Sequence, residues 1–210
     1  MDVQRLTAPI ITYDRHRIMS DGEGVTTLVA FYGCPLRCKW CINSFSHAPE
    51  TWRVDMTPQE LYDKVKIDTL YFAATGGGVT FGGGEPLLYP DFIAGFKGIC
   101  DDVWNICVET SLAVPWENVE KIAPYVDMFY VDCKDMDAEI YKNYTGVDNH
   151  LFISNLQKLL TVVPPEKIII RVPLIPGYNT EENQAQSVKR LKEMGYERFD
   201  LFTYVEVDKK

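Results

Sequence analysis

The sequence lacks the long apolar runs and the basic blocks that mark two large classes of protein. No stretch of the 210 residues approaches the roughly 18 consecutive apolar residues of a membrane-spanning helix, and the start, MDVQRLTAPI, has no secretory-signal profile. Acidic residues outnumber basic ones by 30 to 21, giving a formal net charge of -9, and no lysine or arginine cluster offers a surface for phosphates. We therefore expect a cytoplasmic protein that works neither on nucleic acid nor in a membrane.

Cysteine is also scarce, and its six copies fall into two groups. One group is packed into eight residues, whereas the other is scattered through apolar surroundings: Cys34, Cys38 and Cys41, against Cys100, Cys107 and Cys133. In a cytoplasmic chain, clustered cysteines more often bind metal or take part in catalysis than form disulfides. The pattern predicts a metal site in the first group and buried packing thiols in the second.

Strand-like and helix-like segments alternate along the chain. Predicted strands cover 25–32, 78–81, 104–109, 127–132, 167–172 and 198–205, and predicted helices cover 57–76, 91–100, 116–125, 138–144, 155–162 and 181–194. Alternation of this kind predicts one α/β domain over residues 1–210 with a parallel sheet, built either as an open doubly wound sheet or as a partial barrel. Residues 1–24 form an N-terminal extension that could be a hairpin. In both architectures the chemistry belongs at the carboxyl ends of the strands.

The three clustered cysteines lie on the loop that leaves the first predicted strand. Cys34, Cys38 and Cys41 have the spacing C-x3-C-x2-C. Three thiolates leave one iron of a four-iron cluster without a protein ligand, and a small chelating substrate can bind there. The alternative is a zinc site with His47 as fourth ligand, although the spacing matches no common zinc motif.

Further polar motifs follow later strands. Gly83-Gly84-Glu85 comes after the second predicted strand, Asp132 and Lys134 end the fourth, and Arg171 lies in the fifth. Taken alone, each has an ordinary explanation: a solvated carboxylate, a surface ion pair and a buried structural salt bridge.

Together these motifs resemble the radical S-adenosylmethionine superfamily, and within it the activating enzymes of glycyl radical enzymes, typified by pyruvate formate-lyase activating enzyme. The resemblance covers almost the whole chain. Besides the cysteine and Gly-Gly-Glu motifs, it includes the segments 20–24, 76–80, 132–136, 146–150 and 171–177.

The resemblance implies a partial (β/α)6 barrel with parallel strands that binds a [4Fe-4S] cluster and S-adenosylmethionine. Reductive cleavage of the cofactor to a 5′-deoxyadenosyl radical would then permit hydrogen abstraction from a glycine of a partner glycyl radical enzyme. A flavodoxin- or ferredoxin-type protein is the implied electron donor.

The resemblance also assigns residues to parts of the cofactor. Cys34, Cys38 and Cys41 would hold the cluster, and Gly83, Gly84 and Glu85 the methionine end, with Glu85 helping to receive the ammonium group. Asp132 and Lys134 would contact the ribose and the carboxylate, which suits an acceptor and a cationic donor. Trp40 would lie near the adenine unless it is a core tryptophan. Arg171 would meet a carboxylate or the substrate backbone.

The sequence departs from the family pattern at several places. Glu109-Thr110-Ser111-Leu112 stands where relatives often carry Asp-Thr-Asn-Gly, so a monovalent cation bound by Glu109, Thr110 and Asp132 is an open question. A family histidine that contacts the cofactor falls on Val205, which predicts that this contact is absent. The chain stops at Lys210, before the family's C-terminal segment, and this predicts an open barrel side.

Two other functions remain open from the sequence. The first is a radical enzyme that modifies a peptide or a small molecule. The second is an iron-sulfur electron carrier, against which stand the missing fourth cysteine and the Gly-Gly-Glu and Asp-x-Lys motifs.

Overall fold

The structure is a computed structural model that describes residues 6–204. Within these residues lie eight β-strands: β1 Ala8–Ile18, β2 Val25–Phe31, β3 Val54–Met56, β4 Gly78–Gly83, β5 Asn105–Thr110, β6 Met128–Asp132, β7 Ile168–Leu174 and β8 Phe199–Thr203. Seven α-helices join them: α1 Pro58–Val65, α2 Thr69–Thr75, α3 Pro90–Lys97, α4 Trp116–Ile122, α5 Ala138–Thr145, α6 His150–Leu159 and α7 Glu181–Glu193. None of these helices is long and apolar enough to cross a membrane.

All eight strands belong to one sheet, in the order β3-β1-β2-β4-β5-β6-β7-β8. Every neighbouring pair from β2 to β8 is parallel. These six strands follow one another in chain order, whereas a doubly wound sheet reverses direction at a switch point. In the described chain β3 and β8 remain the edges, so the sheet is not closed. The predicted α/β fold with a partial barrel is confirmed.

The N-terminal strand extends the sheet on the side of β2. β1 pairs antiparallel with β2 and, on its other side, with β3. Its Arg15 donates two hydrogen bonds of 2.6 Å to the fully buried carboxylate of Asp68, and His16 Nε2 lies 2.9 Å from the same carboxylate. This ion pair ties β1 to the segment between α1 and α2.

Two helices differ from the sequence prediction. The predicted helix over 57–76 has the capping box formed by Thr57 and Glu60, but a 3-10 turn at Lys66–Asp68 divides it into α1 and α2. The turn places Asp68 against Arg15, a long-range contact that local sequence does not reveal. α6 begins at His150 rather than at 155, and the Asp148 carboxylate accepts the His150 backbone N–H at 3.2 Å.

The core is an aromatic cluster between the sheet and its covering helices. Phe81 on β4 lies edge-on to Phe92 and Phe96 of α3, and Trp104 packs against Phe72. All five side chains are at most 1% exposed. Burying one such ring stabilises the fold by about 1.5–3 kcal/mol. Cys107 and Cys133 are buried, as predicted, and Cys100 is half-buried.

Candidate active site

A cavity of about 250 Å³ lies at the carboxyl ends of the parallel strands. Every residue that the resemblance assigns to the cluster, the cofactor or the cation, with the exception of Thr110, lines it: Cys34, Cys38, Cys41, Trp40, Gly83, Gly84, Glu85, Glu109, Asp132, Lys134 and Arg171. His47, the alternative zinc ligand, does not line it. These lining residues come from the carboxyl ends of β4, β5 and β6, from the middle of β7 and from the loop after β2. Parallel strands in consecutive order bring their carboxyl ends to one edge, and this geometry gathers motifs that are far apart in the sequence.

The cysteine loop follows β2 and rests on the C-terminal end of α5. Its Arg37 and Lys39 backbone N–H groups donate to the Thr145 and Tyr144 carbonyls, at 2.8 and 3.1 Å. The three thiols are half-buried. Burial, with the nearby Glu85 charge, raises the pKa of Cys34 to about 12, and burial raises the pKa of Cys38. Thiols of this kind are protonated without a metal, so metal binding must displace their protons.

The geometry bears on the choice between zinc and an iron-sulfur cluster. No three His, Cys, Asp or Glu side chains in the described chain gather closely enough to hold one metal ion. The imidazole Nδ1 of His47 lies 3.2 Å from Arg37 Nη1. Zinc collects all its ligands on one atom, whereas a cubane spreads three thiolates over three irons. The described geometry is therefore compatible with a cluster on the three thiols and offers no ready-made zinc site.

The Gly-Gly-Glu motif is packed against the cysteine loop. A Cβ on Gly84 would lie 2.0 Å from the Gly33 carbonyl oxygen, and a Cβ on Gly83 2.6 Å from Ala30 Cα. This close approach allows Glu85 N to donate to the Gly33 carbonyl at 2.7 Å. Asn43, just past the last cysteine, donates to the Gly83 carbonyl at 3.0 Å. The two glycines are required where β4 meets the cysteine loop, and this joins the two motifs into one wall of the cavity.

The Glu85 carboxylate is buried and has four protein donors. Oε1 accepts from Leu87 N at 3.1 Å and Thr110 Oγ1 at 2.7 Å, and Oε2 accepts from Ser111 N at 2.9 Å and Ser111 Oγ at 2.6 Å. Burial raises the pKa of this carboxyl despite those donors. Four donors fill the acceptor capacity of a carboxylate. Glu85 therefore fixes the end of β4 to the end of β5.

Four charged side chains, which we call the charged quartet, face one another across β5, β6 and β7. They are Glu109, Asp132, Lys134 and Arg171. Arg171 Nη2 is 2.5 Å from Glu109 Oε1, and Arg171 Nε is 3.8 Å from Asp132 Oδ1. Lys134 Nζ is 3.1 Å from Asp132 Oδ2.

Protonation of the quartet follows from burial and pairing. Burial acts to raise the pKa of Asp132, but Lys134 and Arg171 outweigh it and hold that pKa below its ordinary value. Burial keeps the pKa of Glu109 above its ordinary value even beside Arg171. Burial acts to lower the pKa of Lys134, but Asp132, Tyr204 and Cys38 together outweigh it and raise that pKa.

Thr110 is the predicted residue that lies apart from the cavity. Its hydroxyl donates to Glu85 Oε1 and accepts from Leu112 N at 2.9 Å. Successive side chains of a strand point to opposite faces. Thr110 therefore points away from Glu109 and supports Glu85 instead.

A row of aromatic side chains, of which the sequence prediction named only Trp40, forms an aromatic wall beside the cavity. It runs through five rings in edge-on or tilted contact: Trp40, Tyr178, Tyr144, Tyr204 and Phe202. Trp40 is half-buried on the cavity, so it is not a core tryptophan. The Tyr204 hydroxyl accepts from Lys134 Nζ at 2.9 Å. In the sequence, the alternation of Phe202 and Tyr204 at the end of the last strand was the signal that could have predicted these two rings at the site. Val205 lies outside the described residues.

Comparison with known proteins gives consistent matches. The family model described as the radical SAM superfamily matches residues 28–187. The (2S)-3-sulfopropanediol dehydratase activating enzyme of Klebsiella oxytoca is 30% identical, over 77% of this chain and 69% of that protein. The pyruvate formate-lyase-activating enzyme of Clostridium pasteurianum is 31% identical, over 88% of this chain and 77% of that protein.

Solved structures agree on the fold. Streptococcus suis SuiB bound to S-adenosylmethionine aligns with a TM-score of 0.64 at 19% identity, over 87% of this chain. The alignment spans 43% of the SuiB chain. A maturase of the [FeFe]-hydrogenase, HydG, aligns with a TM-score of 0.62 at 15% identity, over 88% of this chain and 43% of its own.

Proposed function

Because this chain belongs to the radical S-adenosylmethionine superfamily, we propose that it activates a glycyl radical enzyme by abstracting hydrogen from a glycine of that partner. The resemblance inferred from the motifs is confirmed by the family match and by the activating enzymes among its relatives. One observation supports the proposal most: the cysteine motif, the glycine motif and the charged quartet all line a single cavity.

The family implies a [4Fe-4S] cluster and S-adenosylmethionine, and the residues present suit both. Cys34, Cys38 and Cys41 would hold the cluster, since three half-buried thiols share one cavity. When bound, the cluster and cofactor supply the reductive chemistry that generates the 5′-deoxyadenosyl radical.

The side chains around the cavity would bind and orient the methionine and nucleoside parts of the cofactor. Lys134 offers an ammonium to the methionine carboxylate and Asp132 an acceptor to the ribose hydroxyls. Trp40 and the aromatic wall offer ring faces to the adenine. Gly83 and Gly84, by their close approach to the cysteine loop, would bring their backbone to the methionine end of the cofactor. Glu85 would act by holding those glycines in place.

The partner would present a glycine on an extended loop at the cavity mouth. One hydrogen atom would move from the glycine α-carbon to the 5′-carbon, leaving the unpaired electron on the glycine. A flavodoxin- or ferredoxin-type protein would supply the electron. The activating enzymes among the relatives support the glycyl radical enzyme as partner. The electron donor is proposed from the motif resemblance alone.

A monovalent cation bound by Glu109, Thr110 and Asp132 stays a prediction. Of these three residues, Thr110 points away from the cavity and already uses its hydroxyl on Glu85 and Leu112. Glu109 and Asp132 both face Arg171.

The first experiment is anaerobic cluster reconstitution with iron analysis. We expect about four irons per chain from a three-cysteine cubane site. Cys34→Ala, Cys38→Ala and Cys41→Ala should each lose most of the iron, whereas the matched control Cys100→Ala should keep it. One zinc per chain with no iron uptake would contradict the assignment.

The second experiment follows the hydrogen. With reductant and S-adenosylmethionine, a peptide copying the partner's glycine loop and deuterated at the glycine α-carbon should transfer deuterium into 5′-deoxyadenosine. Transfer from a small metabolite, with no glycine loop labelled, would show a radical enzyme of another substrate class. Iron binding without 5′-deoxyadenosine would indicate an electron carrier.

A further inference from the structure

The charged quartet contains as many cationic side chains as carboxylates. Glu109 and Asp132 are balanced by Arg171 and Lys134 at distances between 2.5 and 3.8 Å. We propose that Arg171 is the built-in counter-ion of Glu109 and Asp132, so that this site binds S-adenosylmethionine without a monovalent metal cation. The inference rests on the proposed function for its ligand and on the chain's own geometry for everything else.

The register of the sheet puts Arg171 between the two carboxylates. Asp132 on β6 is directly beside Arg171 on β7, and Glu109 on β5 is beside Tyr130 on β6. The guanidinium extends back over the Tyr130 ring, with its carbon 5.1 Å from the ring centroid, to reach Glu109. A guanidinium stacked on an aromatic ring and bonded to a carboxylate is held in one orientation.

The length of Glu109 completes the contact. Arg171 Nη2 and Glu109 Oε1 are 2.5 Å apart, which is full hydrogen-bond contact. An aspartate at this position would withdraw the carboxylate by one carbon–carbon bond, about 1.5 Å. The glutamate that departs from the family pattern is therefore the residue that allows the arginine to act as counter-ion.

The electrostatics favour the resident cation over a metal ion. Two partly buried carboxylates side by side need a counter-charge, and arginine stays protonated at any physiological pH. With Lys134 included, the quartet has no net charge. A sodium or potassium ion would have to shed water to enter a site whose carboxylates are already paired, with little Coulombic gain in return.

The two roles of a bound metal cation can be divided between Arg171 and Lys134. Such a cation could balance the carboxylates and contact the methionine carboxylate. Arg171 does the first through Nη2 and its charge. Lys134, whose ammonium we propose as the donor to the methionine carboxylate, can do the second.

The test compares salts on the reconstituted holoprotein under anaerobic conditions. The melting temperature and the affinity for S-adenosylmethionine are measured in potassium, sodium or choline chloride at equal ionic strength. We expect the same values in all three salts for the wild type. In Arg171→Gln, potassium or sodium at ten times its dissociation constant should raise the melting temperature by about 3–6 °C, as expected for a bound ion in a chain of this size. The affinity of that variant for the cofactor should also become dependent on the cation.

Control variants keep the test decisive. Arg198→Gln, which removes an arginine far from the cavity that bonds the Glu166 carbonyl, should gain no cation response. Glu109→Asp, which keeps the charge but shortens the side chain, should gain a partial cation response. If Arg171→Gln does not fold, Glu109→Asp and the wild type still test whether the site binds a monovalent cation.

Two results would overturn the proposal. One is a saturable stabilisation of the wild type by potassium or sodium over choline. The other is a folded Arg171→Gln that shows no cation response in either measurement. Neither readout requires cofactor cleavage, so a failure here is distinct from a failure of the proposed function, which would appear as missing 5′-deoxyadenosine.

Discussion

Replacing Glu85 with glutamine tests whether its carboxylate holds β4 and β5 together. Each carboxylate oxygen accepts one backbone N–H and one hydroxyl: Leu87 N with Thr110 Oγ1, and Ser111 N with Ser111 Oγ. An amide has one oxygen and one NH₂ group. Whichever way the amide is turned, its NH₂ group faces one hydroxyl and one backbone N–H. The hydroxyl can rotate to accept from the NH₂, but the buried backbone N–H is left without an acceptor.

The expected loss follows from two opposing contributions. A buried donor without a partner costs about 1–3 kcal/mol. Against this, burial raises the pKa of Glu85, and a neutral amide avoids the desolvation that causes this shift. We therefore expect the lower part of the range, a loss of about 1–2 kcal/mol in unfolding free energy, which lowers the melting temperature of a chain this size by about 2–8 °C.

Thermal unfolding by circular dichroism measures the effect. The matched control is Glu60→Gln, because one oxygen of the exposed Glu60 accepts both Thr57 donors and a turned amide keeps that oxygen in place. This control should change stability by less than about 0.5 kcal/mol. If Glu85→Gln melts at or above the wild-type temperature, the four hydrogen bonds do not hold the strand ends, and the reasoning is refuted.

Three further predictions follow from single contacts. Gly84→Ala should prevent stable folding, because its Cβ would lie 2.0 Å from a carbonyl oxygen of the cysteine loop. The control Gly98→Ala, at a position with ordinary helical φ and no close neighbour, should be neutral or stabilising in thermal melts. The Arg15 hydrogen bonds lower the pKa of Asp68. The stability that this ion pair contributes is therefore present above the ordinary carboxyl pKa of about 4 and is lost as the pH falls through the lowered pKa. Asp68→Asn should make the melting temperature fall less steeply over this acidic range. Tyr204→Phe should weaken cofactor binding by about 2–10-fold, the equivalent of one hydrogen bond, in equilibrium dialysis.

Each of these has a contrary outcome. A stable Gly84→Ala would mean that β4 and the cysteine loop can separate without loss of the fold. An unchanged acid limb for Asp68→Asn would show that the ion pair with Arg15 adds no stability in solution. Equal cofactor affinity for Tyr204→Phe would show that the hydrogen bond from Lys134 to the Tyr204 hydroxyl adds nothing to cofactor binding.

The sequence by itself predicted the parallel strands and the residues that we propose carry the chemistry. β-Branched runs, helix caps and the C-x3-C-x2-C spacing are local patterns, and local patterns are set by a few neighbouring residues. The rule that chemistry gathers at the carboxyl ends of parallel strands then placed the motifs together, and the cavity contains them.

Only the tertiary structure decided which of those residues contact one another. The carboxylate of Glu85 is occupied by donors from β5, Arg171 reaches across β6 to Glu109, and Thr110 points away from the quartet. Asp68, in the 3-10 turn between α1 and α2, pairs with Arg15 on β1, and Tyr204 enters the site from the last strand. Each of these contacts joins residues at least 25 positions apart. They depend on the order of the strands, on their register and on the direction of each side chain. A register shift of one residue turns every side chain of a strand to the opposite face.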